Sequence, residues 1–214
     1  MLGLRLMAKR GWMLTIGNAS IYIAEHASNV SKTKLLKLLY LMEERSALRY
    51  HQPFLGIPFE VWQAGPVAKD VYIDISEGAV MLSPYIKVYN DKDAQYITPV
   101  KPFDDEDFSA NEIRLMDEVL AEYGDKTAKE LVAITHRKGS LWYNIAKEKG
   151  LLEAFEKHES NNSDYVINFT EGMMPCSAEY YAEALSLHNA SNAYILGLNG
   201  SKHSSSQFLR RLMA

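Results

Sequence analysis

Six histidines, one cysteine and a run of four acids are the side chains of this 214-residue chain best suited to bind a metal or activate a nucleophile. The histidines stand at positions 26, 51, 136, 158, 188 and 203, and no two have the close spacing of a metal-ligand pair. The acids Asp104-Asp105-Glu106-Asp107 lie just before a helix start, where the helix dipole favours negative charge, and read as solvated surface. Cys176 has no neighbouring histidine to depress its pKa and reads as inert. No glycine-rich phosphate loop, serine elbow or paired cysteines occur anywhere in the sequence. No catalytic residue, metal or cofactor is therefore expected, and the chain reads as a binding protein rather than an enzyme.

The side chains that remain conspicuous are of the kind that hold a partner. Tyr40, Trp62 and Trp142 are large and amphipathic, and either lock a core or anchor an interface, where tryptophan and tyrosine dominate. Lys32, Lys34 and Lys37 form either an electropositive strip for an acidic partner or an ordinary solvated helix face. His136, near a helix C-terminus, is placed to act as a cation facing the dipole, to bond a backbone carbonyl or to touch a partner.

These residues sit on elements with clear signals. Asn18 is a candidate N-cap for a helix to about Ser28, and Ser31 caps the next. In that second helix Leu35, Leu38, Leu39 and Met42 follow the i, i+3, i+4, i+7 rule, which predicts a buried stripe. Early lysines and late Glu43 and Glu44 oppose the dipole, a penalty that burial of the leucines outweighs. Pro53 to Pro58 reads as a loop. Gly65-Pro66 predicts a sharp turn and a helix from Pro66 to about Glu77, whose free N–H groups at Val67 and Ala68 could meet a carboxylate.

Two β-forming runs, Tyr85–Tyr89 and Gln95–Val100, flank Asn90-Asp91-Lys92-Asp93 and predict a hairpin, with Pro99 marking an edge strand. Ser109 with Glu112 and Thr127 with Glu130 are capping boxes that open two helices stopped near Gly124 and Gly139. Leu131 belongs to the buried face of the second. Ser140 starts a short helix carrying Trp142, and another runs over Leu151 to His158. Beyond Asn161 a strand over Asp164–Phe169 and a helix over Ser177–His188 are expected, with Tyr180, Tyr181 and Leu185 packing. Ser204–Ser206 reads as a loose tail, and Phe208, Leu209 and Leu212 as a terminal amphipathic turn.

Composition sets the outer limits. An apolar fraction of 47% with 23% charged residues is that of a globular protein. A net charge of −4 argues against a general nucleic-acid binder. No apolar run reaches the ~18 residues of a membrane helix, and Arg5, Lys9 and Arg10 interrupt any secretory h-region. With the single cysteine, this suits a cytoplasmic protein. Met1, Met7 and Met13 are alternative starts, and residues 1–15 are expected to be an overhang.

Three strings, in order and at these spacings, carry a resemblance. They are "SKTKLLKLLYLME" at Ser31–Glu43, "FEVWQAGPVAKDVY" at Phe59–Tyr72, and Asp104–Trp142, with Leu131 to His136 followed six residues later by Trp142. From about Ile16 to Gly150 the chain resembles the Panacea domain family, the SocA-type antitoxins of bacteria and phages, also known as GepA-like phage-associated proteins. The resemblance implies an α+β fold, predominantly α-helical, a compact helical domain with a small β-hairpin over about 85–100 inserted between helices. The domain is expected over 16–160, and the extension over 161–214, with one helix and a loose tail, departs from the family pattern. The resemblance also implies an antitoxin that neutralises a protein toxin encoded alongside by direct binding; one branch of the family instead delivers its toxin to a AAA+ protease as an adaptor. Steric occlusion is the expected mechanism, with Lys37, Tyr40, Trp62, Gln63, Val67, His136 and Trp142 as candidate contacts. Leu35, Leu38, Leu39, Gly65, Pro66 and Leu131 are the expected frame.

Overall fold

The computed structural model describes residues 2–190 other than 93 and 107, with side chains from residue 13 onward. The expectations for Asp93, Asp107, Ser204–Ser206, Phe208, Leu209 and Leu212 lie outside the described residues. The elements are α1 (Leu2–His26), α2 (Lys32–Tyr50), β1 (Glu60–Trp62), β2 (Gly65–Val67), α3 (Lys69–Ser76), β3 (Ile86–Asp91), β4 (Ala94–Pro99), α4 (Ala110–Tyr123), α5 (Ala128–Thr135), α6 (Leu141–Glu148) and α7 (Leu151–Glu156). Residues 175–190 form a further helix, α8. The architecture is α+β and predominantly α-helical, with two small antiparallel hairpins.

Helix α2 is the axis of the molecule. Every residue from Lys34 to Glu44 is buried, so no face of its middle turns meets solvent. Leu35, Leu38, Leu39, Tyr40 and Met42 are fully enclosed, and each such leucine contributes roughly 2 kcal/mol by leaving water. Helices α1, α4 and α5 and the β1–β2 hairpin pack around it.

The two lysines in this stretch correct the sequence reading. Lys34 and Lys37 form neither a solvated face nor an accessible strip; they are 2% and 1% exposed. A buried cation must find acceptors. The Lys34 Nζ donates to the carbonyls of Ser28 and Gly124, both at 2.6 Å, and so ties the α1–α2 loop to the C-terminal end of α4. The Lys37 Nζ donates to the Pro66 carbonyl at 2.6 Å. The buried Glu43 does the converse, accepting from the N–H groups of Phe54, Leu55 and Gly56.

Helix α1 also departs from expectation. Asn18 is not an N-cap but a buried residue in mid-helix. The helix runs through Gly11 and Gly17 although each costs about 1 kcal/mol relative to alanine. At Gly17 the reason is contact: a Cβ there would lie 2.4 Å from Cγ of Tyr85, so only glycine lets the tyrosine ring rest on the helix.

The expected hairpin is present as β3–β4, in a register from Ile86↔Pro99 to Asp91↔Ala94. Pro99 closes β4, and β4 also receives the loop before α2, where Ile97 N–H donates to the Val30 carbonyl at 2.9 Å. Both capping boxes form, at Ser109/Glu112 and Thr127/Glu130, and Ser140 caps α6. The strand expected over 164–169 is reduced to one bridge, Glu60↔Val166, because β1 is only three residues long and cannot template more. Ile167 and Phe169 are nonetheless buried against the core. In α8, Tyr181 packs inward while Tyr180 stays half exposed.

Candidate functional site

The second string folds differently from its prediction, and the difference builds the site. Gly65-Pro66-Val67 is a strand, not a helix start; it pairs with β1 through Glu60↔Val67, Val61↔Pro66 and Trp62↔Gly65. Helix α3 begins only at Lys69, after an Ala68 that offers no side-chain cap. The expected anion site on the Val67 and Ala68 N–H groups is therefore not formed. Two residues, Gln63-Ala64, join the strands, and Gly65 takes φ +95°, open to glycine at no steric cost. Any Cβ there would stand 2.8 Å from Thr135 Oγ1 and 3.2 Å from Lys37 Nζ. The hairpin is thus pressed against α2 and α5.

Of the candidate contacts, Lys37, Trp62, Gln63 and Val67 line one cleft of about 270 Å3, together with Lys32 and Tyr72. The Trp62 ring stands edge-on to Tyr72 at 5.0 Å, and its indole N–H donates to Glu60 Oε2 at 2.9 Å. Gln63 Nε2 donates to the Phe155 carbonyl at 2.6 Å and lies 3.0 Å from His158 Nδ1.

Behind the cleft, the Trp142 indole N–H donates to the Trp62 carbonyl at 3.0 Å. Its ring stacks on His136 at 3.8 Å and 7°. Trp142 is 3% exposed and so positions Trp62 from within. Burial pushes the His136 imidazole down to about 4, helped by the Lys37 charge. A neutral ring at pH 7 overturns the expected cation facing the helix dipole, and its buried Nε2 has no hydrogen-bond partner among the described residues.

Tyr40 lies apart from this group. It is fully buried, donates its hydroxyl to Glu44 Oε1 at 2.6 Å and packs edge-on against Phe59. Lys37 and Tyr40 can serve a partner only by positioning others. Burial lowers the Lys37 amine to about 7. Burial also raises the Glu43 carboxyl to about 7, against the pull of three backbone N–H groups. Leu35, Leu38, Leu39 and Leu131 are all fully enclosed.

The sequence reading passed over a second concavity. Leu41, Arg45, Leu48, Arg49, Tyr123 and Arg137 line a groove of about 440 Å3, with Glu44 at its base. Arg45 pairs with Glu122, and Arg49 pairs with Glu118 at 2.5 Å. The partners step four residues in opposite directions, so α2 and α4 run antiparallel. The signal was in the sequence as arginines four apart on the exposed face of α2, but it carried no motif.

Among the described residues no group of three histidines, cysteines or acids is placed to hold a metal ion. Among the same residues no helix is long and apolar enough to cross a membrane. No curated protein and no solved structure matches the chain. The family model described as "Antitoxin SocA-like, Panacea domain" matches residues 35–143, half of the chain's length, from within α2 to within α6. The chain belongs to the SocA-like antitoxin family with the Panacea domain.

Proposed function

We propose that this protein is a cytoplasmic antitoxin that neutralises a protein toxin encoded alongside it by direct binding, performing no chemistry of its own. The observation that supports this best is the convergence of Lys37, Trp62, Gln63 and Val67, from two separate strings of the sequence, on a single cleft. Trp62 is half-buried there, rigidly held by Glu60, Tyr72 and Trp142. A preorganised aromatic at a cleft mouth is the arrangement in which interface residues contribute most. The unit that binds extends over 16–160, with residues 161–190 laid against β1 and α2 as a brace. The toxin's active surface is covered by the face around Trp62.

Co-expression with the adjacent gene tests this directly. The neighbouring product is expected to arrest growth alone and to be harmless, and stably complexed, when this chain is present. Trp62→Ala is expected to keep a native circular dichroism spectrum yet lose protection. If the wild-type chain neither rescues growth nor co-purifies with the neighbour, the antitoxin reading is wrong.

A further inference from the structure

Arginine is distributed unevenly in this chain. Between residues 13 and 190 there are four arginines, at 45, 49, 114 and 137, and three of them line the groove beside α4 and α5. None of the lysines does. A net charge of −4 makes this local concentration of cations the more selective.

Arginine differs from lysine in presenting a planar fork that grips a carboxylate with two parallel bonds. Two of the three already pair with internal carboxylates, Glu122 and Glu118, at the surface, each through one guanidinium nitrogen; the Arg49 side chain is 57% exposed. The third, Arg137, is exposed and is held by no hydrogen bond or ion pair of its side chain among the described residues, although its charge acts on Glu44 and Glu122 nearby. Leu41, which is buried, and Leu48, which is 47% exposed, add apolar surface beside Glu44 between the arginines. Tyr123 lies under the Arg45 guanidinium at 5.5 Å. Arginine and tyrosine around a concavity are residue types enriched in binding hot spots.

We infer that this groove docks an acidic segment of the partner protein in which carboxylates alternate with leucine-like side chains. The identity of that partner as a toxin rests on the function proposed above. One partner carboxylate meets Arg137, a second exchanges with Glu118 or Glu122 for Arg49 or Arg45, and an apolar side chain settles on Leu48. Such exchange is feasible because a surface ion pair contributes little by itself.

A synthetic peptide alternating glutamate and leucine is the probe, titrated into the full chain by fluorescence anisotropy. The wild-type protein is expected to bind it, with affinity falling as salt rises. Arg137→Glu is expected to weaken binding about tenfold or more, and Leu48→Asp to a similar degree. Both positions are exposed, so both variants should keep their unfolding midpoint. Arg114→Glu, the arginine outside the groove, should change affinity less than about twofold. The inference is overturned if the wild type does not bind the peptide, or if Arg137→Glu binds as tightly as wild type. Equally tight binding of a single-stranded RNA of matched charge, also lost in Arg137→Glu, would assign the groove to phosphates and overturn it too. Growth rescue by the wild-type chain is scored separately, so loss of the antitoxin reading and loss of this one leave different results.

Discussion

The two halves of α2 handle positive charge in opposite ways. In the first half Lys34 and Lys37 are buried and bound to backbone carbonyls at 2.6 Å. In the second half Arg45 and Arg49 lie at the surface and bind carboxylates. A buried cation whose acceptor is main chain cannot let go without leaving a desolvated carbonyl, so it fixes the fold. A surface guanidinium paired to a glutamate can exchange that partner for another, so it is free to recognise. Residue type alone would have assigned both sets the same role. Burial separates them.

That contrast can be broken most severely at Glu43, the acid that matches the lysines. Glu43→Ala leaves the N–H groups of Phe54, Leu55 and Gly56 without their acceptor. A loss of about 3 kcal/mol or more is expected in urea unfolding. Next comes Gly65→Ala, which places a Cβ against Thr135 and Lys37 at φ +95°. About 2 kcal/mol should be lost, and growth protection in the co-expression assay should fall even where circular dichroism shows the chain folded.

The pH dependence sharpens the same comparison. Lys37 is lowered from its usual 10.5 to about 7, so between those values the unfolded chain holds a proton that the folded chain has released. Stability should therefore rise with pH from about 7 to 9, on the order of 1 kcal/mol per unit. Glu43 is raised from 4.5 to about 7; there the folded state holds the extra proton, and stability should fall as pH rises through that window. The sum is a minimum near neutrality, read from urea midpoints. Lys37→Met should flatten the alkaline limb and leave the acidic one, and the surface arginines should contribute to neither. The smallest effect belongs to the surface pairs: Glu118→Gln with Glu122→Gln should cost less than about 1 kcal/mol while tightening the acidic peptide a few-fold.

Much of the frame was legible in the sequence because it is local. The leucine spacing of α2, the Ser109 and Thr127 boxes and the 86–99 hairpin each follow from residues within a few positions of one another. What could not be read was set by distant partners. Nothing near Pro66 says that Lys37, 29 residues earlier, will bind its carbonyl, so a proline that suits a helix start became a strand residue. Even so, Glu60-Val61-Trp62, two residues and Gly65-Pro66-Val67 had the spacing of a hairpin. Gathering Lys37, Trp62, Gln63 and Val67 at one cleft required the tertiary fold, and so did the burial of Lys34 and Lys37. The arginine groove was missed because its three cations come from one helix and a distant turn with no shared pattern.

The β1–β2 hairpin also decides how this protein can be recognised. On its outer side Pro66 has no N–H to offer, and its carbonyl is already taken by Lys37. On the other side Val61 and Gln63 donate to the backbone of 161–165, and Ile167 donates back to Phe59. Neither margin can accept a foreign strand, which protects the hairpin against edge-to-edge aggregation and closes off main-chain augmentation as a docking mode. Whatever sits at Trp62 must be read through side chains, so changes in a few exposed residues can retune partner choice while the frame stays as it is.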